Sequence, residues 1–327
     1  GSAYNGASIR SDGALFVWGY NAEGQCGDGT TVLKSSPVQI GTSSWTAVSA
    51  GSLHMMAIRT DGALFTWGRN DGGQLGDGTT INKSSPIQIG TSSWIAVSGG
   101  NSRSVAIRSD SALFTWGSNV FGTLGDNTTV DKSSPVQVGT SSWTAATAAG
   151  PATVHAIRTD GALFAWGFNS IGYLGDGTTV NKSSPVQIGT SSWTATSAGL
   201  AIRSDGTMWG WGPGGIPGDG TTLDRSSPVQ IGTNKWSAVF STGNGFAKAV
   251  RDDGTLWTWG SATNGKLGDN TLVSKSSPIV TCAVNYIKGS WTAVGAGNLT
   301  AYAIDNTGKL WAWGNNANGQ LGDRNNS

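Results

Sequence analysis

The sequence predicts an all-β chain, a seven-bladed β-propeller of four-stranded antiparallel blades with incomplete blades at the seam. Three observations lead there. The pair Trp-Gly recurs at Trp18, Trp67, Trp116, Trp166, Trp211, Trp259 and Trp313, at spacings of 49, 49, 50, 45, 48 and 54 residues. A period near fifty marks tandem units that bury their apolar surface on one another. Each unit reads as four short strand-like runs punctuated by Gly or Pro, without helical periodicity. Seven copies is also a common number for ring closure, which favours a propeller over a linear solenoid. A single propeller domain over 1–327 is therefore expected.

The strands of one unit follow in order. The first, inner strand is Trp94–Ser98, and a variable stretch, Gly99–Arg103, leads to the second, Ser104–Arg108. An Asp-Gly turn such as Asp61-Gly62 is a strong hairpin signal. It opens the third strand, Ala63–Trp67, whose nearly continuous apolar run suits a strand covered on both faces. A long loop, Gly68–Ser84, precedes the fourth strand, Pro86–Ile89, where Pro suits an outer edge. A WD40 propeller would show Gly-His and Trp-Asp at a shorter period. A kelch propeller would show paired glycines where this chain has Arg-Thr-Asp-Gly.

Composition agrees. The 327 residues include Gly 51 and Trp 16, with 37% hydrophobic and 12% charged residues and a net charge of +1. That describes a turn-rich globular chain, and a nucleic-acid partner is not expected without a basic face or run. No apolar run reaches eighteen residues, so no membrane insertion is expected. Cys26 and Cys282 sit at non-equivalent repeat positions and do not make a disulfide framework. The chain opens on Gly1-Ser2-Ala3 and breaks off after Leu321-Gly322-Asp323. One stretch of the cyclic pattern, equivalent to Ser35–Ala50, is thereby missing. The expectation is a natural chain running past these ends, with blade one short of its inner strand and blade seven of its outer strand.

The words Ala-Leu-Phe-Thr-Trp-Gly, Gly-Gln-Leu-Gly-Asp-Gly, Ser-Ser-Pro and Trp-x-x-Val-x-x-Gly recur from Gly1 to Asp323. Together they resemble the regulator of chromosome condensation repeat, and the resemblance implies a seven-bladed propeller. It implies less about activity, since the family includes a nuclear guanine-nucleotide exchange factor, a plant ultraviolet-B receptor, ubiquitin-ligase domains, bacterial inhibitors and effectors, and phage proteins. The near-identical Ser/Thr-rich copies are similar in style to bacterial and phage members. The plant receptor's Gly-Trp-Arg-His-Thr run is absent, so a light-sensing Trp cluster is not expected.

Strand parity places the loops after strands one and three on one face and those after strands two and four on the other. The second face is nearly uniform among copies. The first varies, and its candidate binding residues are Tyr20, Glu23, Leu53, His54, Arg69, Asp71, Arg103, Phe121, Phe168, Ile171 and Tyr173. Phe121, Phe168 and Tyr173 stand out, since aromatics are over-represented at binding hot spots. Blade five is shortened in both loops of this face, which predicts a notch there. Between blades six and seven, Ile279–Ser290 carries five extra residues, including Cys282 and Tyr286.

No catalytic constellation, metal site or cofactor is expected. His54 and His155 lack partners at ligand spacing, and neither a nucleophile elbow nor a phosphate loop is present. Each Asp of the Gly-Asp-Gly-Thr-Thr words (Asp28, Asp77, Asp176, Asp219) is expected to cap backbone N–H groups in its own loop. Arg10, Arg59, Arg108, Arg158, Arg203 and Arg251 each precede an Asp by two residues, predicting local pairs. The lysines before Ser-Ser-Pro are expected to protect an edge strand. The function expected is a non-enzymatic interaction scaffold whose variable face binds another protein or a surface glycan, at an extracellular or virion surface. A structural, decorating role in an assembly and guanine-nucleotide exchange on a small GTPase are the alternatives.

Overall fold

Among the described residues, antiparallel pairing is the whole of the regular structure, apart from one 3-10 turn at Thr263–Gly265. The computed structural model describes residues 4–148, 150–241, 243, 245–281, 291–297 and 299–324, so Cys282 and Tyr286 lie outside the described residues. β1 (Asn5–Ile9) pairs with β2 (Ala14–Gly19), which pairs in turn with the first half of the seventeen-residue β3 (Lys34–Ala50). The second half of β3 opens the next sheet, followed by β4 (His54–Arg59), β5 (Ala63–Gly68) and the first half of β6 (Lys83–Gly99). The scheme repeats through β7 (Arg103–Arg108), β8 (Ala112–Gly117) and β9 (Lys132–Thr147), then β10 (Thr153–Arg158), β11 (Ala162–Gly167) and β12 (Lys182–Ser197). β13 (Leu200–Arg203), β14 (Thr207–Gly212) and β15 (Arg225–Ser241) follow, then β16 (Phe246–Arg251), β17 (Leu256–Gly260) and β18 (Lys275–Val280). β19 (Trp291–Ala296), β20 (Thr300–Asp305) and β21 (Leu310–Gly314) form the seventh set, blade seven.

The sequence reading separates the outer strand Pro86–Ile89 from the inner strand Trp94–Ser98. The structure joins them in one strand that changes partner midway: Gln88 faces Phe65 of one blade, and Trp94 faces Arg108 of the next. The bend falls at Gly90, whose φ of 59° suits glycine, and no atom lies within 4 Å of where a Cβ would sit. Outer strand therefore becomes the next inner strand without a loop.

The core lies between blades. At one junction Met56, Ile58 and Leu64 pack with Ile89, Trp94, Ala106 and Trp116. Trp94 meets Phe114 edge-on at 5.3 Å and Trp116 at 6.3 Å between centroids. Every Trp of a Trp-Gly pair also donates its indole N–H to a carbonyl in the long loop of the preceding blade. Trp67 reaches Gln25 at 3.0 Å, Trp116 reaches Gln74 at 2.9 Å, and Trp166 reaches Thr123 at 3.0 Å. Trp211, Trp259 and Trp313 reach Tyr173, Ile216 and Lys266. Trp18 reaches Gln320 at 2.8 Å, joining the first blade to the last. The circuit is closed.

Trp166→Phe deletes one such donor and leaves the Thr123 carbonyl without it. The expected loss is about 2–3 kcal/mol, combining a lost buried bond with a small void. Trp313→Phe removes the same bond at a half-buried ring and is expected to cost less. Chemical unfolding midpoints of the two variants check the order.

Candidate functional site

The long loop after the third strand is shaped in five of the seven blades by an Asn that the sequence reading passed over, with Gly214 and Ala262 at its place in blades five and six. Asn70 Nδ2 donates to Asp77 Oδ1 and the Thr79 carbonyl at 3.0 Å and to the Ile81 carbonyl at 3.2 Å, while its Oδ1 accepts from Leu75 N at 2.9 Å. Asn21, Asn119 and Asn169 make the same set. The signal was available as Asn at the third position after the repeated Trp. Asp77 caps as expected, accepting from Thr79 N at 3.0 Å, and Lys83 lies 3.5 Å from its carboxylate. The lysines before Ser-Ser-Pro thus pair with the loop aspartates, as do Lys34 with Asp28 at 2.7 Å and Lys182 with Asp176 at 3.6 Å. Among the described residues, no three His, Cys, Asp or Glu side chains converge as a metal site would require.

Backbone bonds tie the loops after strands one and three together: Arg69 N to Leu53 O at 2.9 Å, Ser118 N to Ser102 O at 2.8 Å, Phe168 N to Ala152 O at 2.9 Å. The two variable loops of a blade therefore share a face. On it, three candidate residues converge. Phe121 and Phe168 have ring centroids 4.9 Å apart, and Phe168 and Tyr173 5.8 Å apart. Phe121 is 39% exposed and its neighbour Val120 63%. Phe121 and Val120 also border a cavity of about 180 Å³ between blades, walled by Asn101, Ser118 and Pro151, with Arg103 buried in its lining.

Two candidates are corrected. His54 is buried, its Nε2 3.0 Å from Ser104 Oγ. That hydroxyl donates its own proton to the Gln74 carbonyl at 2.7 Å, so His54 Nε2 is the donor. Arg103 is buried as well, and one terminal nitrogen donates to the carbonyls of Ala148 and Thr153 at 2.8 Å and Gly150 at 3.2 Å. Both stand opposite the Gly of their own Trp-Gly pair, Gly68 and Gly117, at one register position. Variation there fits each blade junction to its neighbour and leaves neither side chain for a partner.

The remaining candidates stay at the surface in local pairs. Glu23 accepts from Asn82 of the next blade at 2.6 Å. Arg69 pairs with Asp71, and Tyr20 lies against Tyr4 at 5.9 Å. Leu53 and Ile171 are half-buried. At blade five, where a notch is expected, a Cβ on Gly243 would come 2.4 Å from Gly150 Cα and 3.3 Å from Ala198, so the loops after the first strands of blades four and six approach each other beside the shortened one.

On the other face, Arg10, Arg59, Arg108, Arg158 and Arg251 pair with the Asp two residues on, at 2.5 to 3.3 Å. Arg203 instead lies over the Trp209 ring at 3.8 Å. These neutralised pairs offer no concerted anion site.

The pattern of the family described as "Regulator of chromosome condensation (RCC1) repeat" matches residues 12–58, 61–107, 110–154, 160–200 and 253–304, and a second pattern of the same description matches 45–74 and 291–320. Among curated protein sequences none matches significantly. Of solved structures, human WBSCR16 aligns with a TM-score of 0.83 at 18% identity, covering 97% of this chain and 92% of that one. Prp20p of Saccharomyces cerevisiae aligns at 0.76 and 18%, covering 90% and 79%. Yeast RCC1 (Prp20) bound to Kap60 aligns at 0.77 and 17%, covering 91% and 77%. At such identities the likeness speaks for the fold.

Burial lowers the pKa of His54 and of His155 from 6.5 to about 4, with the charge of Arg103 a smaller cause at each. The unfolded chain then takes up protons first as the pH falls through 6.5. Stability from these two residues is complete above that value and is lost progressively towards pH 4. Asp12, Asp61, Asp110 and Asp160, held near 2 chiefly by their arginines, act only below 3.8. Met56 fills the position of His155 in blade two, so His155→Met is expected to flatten the decline in melting temperature between pH 6.5 and 4. An unchanged slope would exclude His155 as its source.

Proposed function

Because the chain belongs to the regulator of chromosome condensation (RCC1) repeat family, we propose that it is a non-enzymatic interaction propeller whose variable-loop face binds a partner protein. The observation that carries this is the joined patch of Phe121, Phe168 and Tyr173, contributed by the loops of two adjacent blades and flanked by exposed Val120. Clustered aromatics supply large contact area at low entropic cost, which is why interfaces concentrate them. The adjoining cavity offers a recess for one partner side chain. Protein ligands are also what the titles of the yeast relatives report: Kap60 for one, Gsp1p and histones for the other.

In its finest form the reading places the patch on a virion or cell surface, where a glycan is the other occupant to consider. The long loops that carry the patch are clamped by Asn119 and Asn169 at their base. Such loops present side chains on a rigid support, so little ordering entropy opposes binding.

The triple substitution Phe121→Ser, Phe168→Ser, Tyr173→Ser tests this, with Arg10→Ala and Arg59→Ala on the opposite face as the control. Cross-linking capture of partners and a glycan array are read for each protein. A loss of tenfold or more confined to the triple variant, with unchanged circular dichroism, is the expected result. Equal capture by a folded triple variant removes this face. Acceleration of labelled GDP release from a small GTPase would favour the exchange-factor reading instead.

A further inference from the structure

One register position carries a permanent charge in one blade of the six that pair there. Opposite the Gly of the Trp-Gly pair stand Asn5, His54, Thr153, Phe246 and Thr300 in blades one, two, four, six and seven, and Arg103 in blade three. Arg103 is 3% exposed. Its terminal nitrogens donate to the carbonyls of Ala148, Gly150, Pro151 and Thr153, all in the stretch that leads into β10. Those dipoles satisfy most of its donors without neutralising it. Its Nε finds no acceptor, and among the described residues no carboxylate pairs with the guanidinium. Burial alone lowers its pKa, to about 10, so the charge persists at neutral pH. Buried charges are as a rule paired, and this one is left among neutral groups.

That charge stands in the wall of the cavity of about 180 Å³ that Phe121 and Val120 border. Ser102 and Ser118 of blade three line the same cavity, and Pro151 and Ala152, in the stretch that Arg103 holds, wall it from blade four. Both serines are half-buried, and among the described residues neither hydroxyl is taken by a protein partner. The carboxylates of the neighbouring long loops are engaged elsewhere, Asp71 with Arg69 and Asp131 with the Asn119 amide at 2.7 Å. The cavity therefore combines a positive field with two hydroxyl donors and holds no anion of its own.

We infer that this cavity receives the side-chain carboxylate of a Glu or Asp on the partner protein, while apolar residues flanking it lie on Phe121, Phe168 and Tyr173. The inference rests on the aromatic patch as the docking face and adds the partner's charge to it. Ser102 and Ser118 are the contacts, each able to donate its O–H to a carboxylate oxygen. Arg103 is a positioning residue. It stays within the wall, acts through its charge, and holds Pro151 in place by the bond to its carbonyl. A charge in a water-poor wall is weakly screened, so a carboxylate gains more beside it than at the open surface. The amide of Gln or Asn has the same shape without the charge, and hydrogen bonds to an ionised acceptor are the stronger class. Charge complementarity therefore selects an acidic side chain over its amide.

Acetyl-Phe-Glu-Phe amide and its Gln and Lys counterparts, titrated calorimetrically into the 327-residue chain, are the test. The Glu peptide is expected to bind roughly tenfold or more tightly than the other two. Arg103→Gln is expected to bring the Glu and Gln affinities together, while Arg103→Lys keeps the preference. Because Arg103 also holds the loop of blade four, Ser118→Leu is the second variant. It fills the cavity and leaves the guanidinium in place, and is expected to keep the melting temperature and lose the preference for Glu. Absent binding, equal binding of the Glu and Gln peptides, or a preference that survives in folded Ser118→Leu overturns the inference. Tighter binding of N-acetylneuraminic acid than of the Glu peptide also overturns it, since the carboxylate would then belong to a glycan. The docking face fails separately, when the folded triple variant captures partners as well as the unaltered chain. Lost capture in that variant, together with equal Glu and Gln binding, removes the carboxylate alone.

Discussion

Each blade is held to the one before it by an indole N–H, buried at most junctions. The acceptor is a loop carbonyl, and the contact is so close that the residue two positions on must lack a side chain: a Cβ on Gly76 would come 2.7 Å from Trp116 Nε1, and one on Gly125 the same distance from Trp166 Nε1. Those glycines also have φ of 79° and 70°, a second reason for their identity. Two recurring words of the sequence, Trp-Gly and Leu-Gly-Asp, are thus two halves of one interaction. They meet across a blade boundary, Trp116 with Gln74 forty-two residues earlier. A change at either half breaks the junction between two blades and leaves the interior of each blade intact.

That clamp explains where the copies are free to differ. The long loop is pinned at its end by the indole and at its base by Asn70 or its equivalent, so the residues between contribute little to the fold. Phe121 arises in that interval, Phe168 stands just before the Asn169 clamp, and Tyr173 lends its carbonyl to the Trp211 indole while its ring lies against Phe168. Variation at His54 and Arg103 has another origin. Both occupy a buried register position at a blade junction, and Arg103 donates there to four carbonyls of the next blade. A residue that differs among repeats is therefore a recognition candidate only where the backbone leaves it exposed.

The sequence made the fold class legible because the period, the Asp-Gly turns and the Trp-Gly pairs are local signals repeated often enough to reinforce one another. Strand parity was legible too, since alternation alone assigns a loop to a face. What could not be read depended on distance in space. The continuity of β6 through Gly90 is invisible because Ile-Gly-Thr-Ser-Ser-Trp carries the composition of a turn, yet Gly90 merely bends an extended chain between two partners. The burial of His54 and Arg103 depends on the neighbouring blade, which no window of one repeat contains. The convergence of Phe121 on Phe168 was equally hidden, since 47 residues separate them.

The closing junction shows how these layers rank. Repeat proteins gain most of their stability from neighbour interfaces, so an open array and a ring differ by one interface. Here that interface has its indole bond, Trp18 to Gln320, and its loop amide bond, Arg324 to Ser35. Tyr302 reinforces it, lying 6.4 Å from Trp18 between centroids and donating its hydroxyl to the same Gln320 carbonyl at 2.5 Å. The loop-to-indole contacts therefore suffice to bring the two ends of the array together.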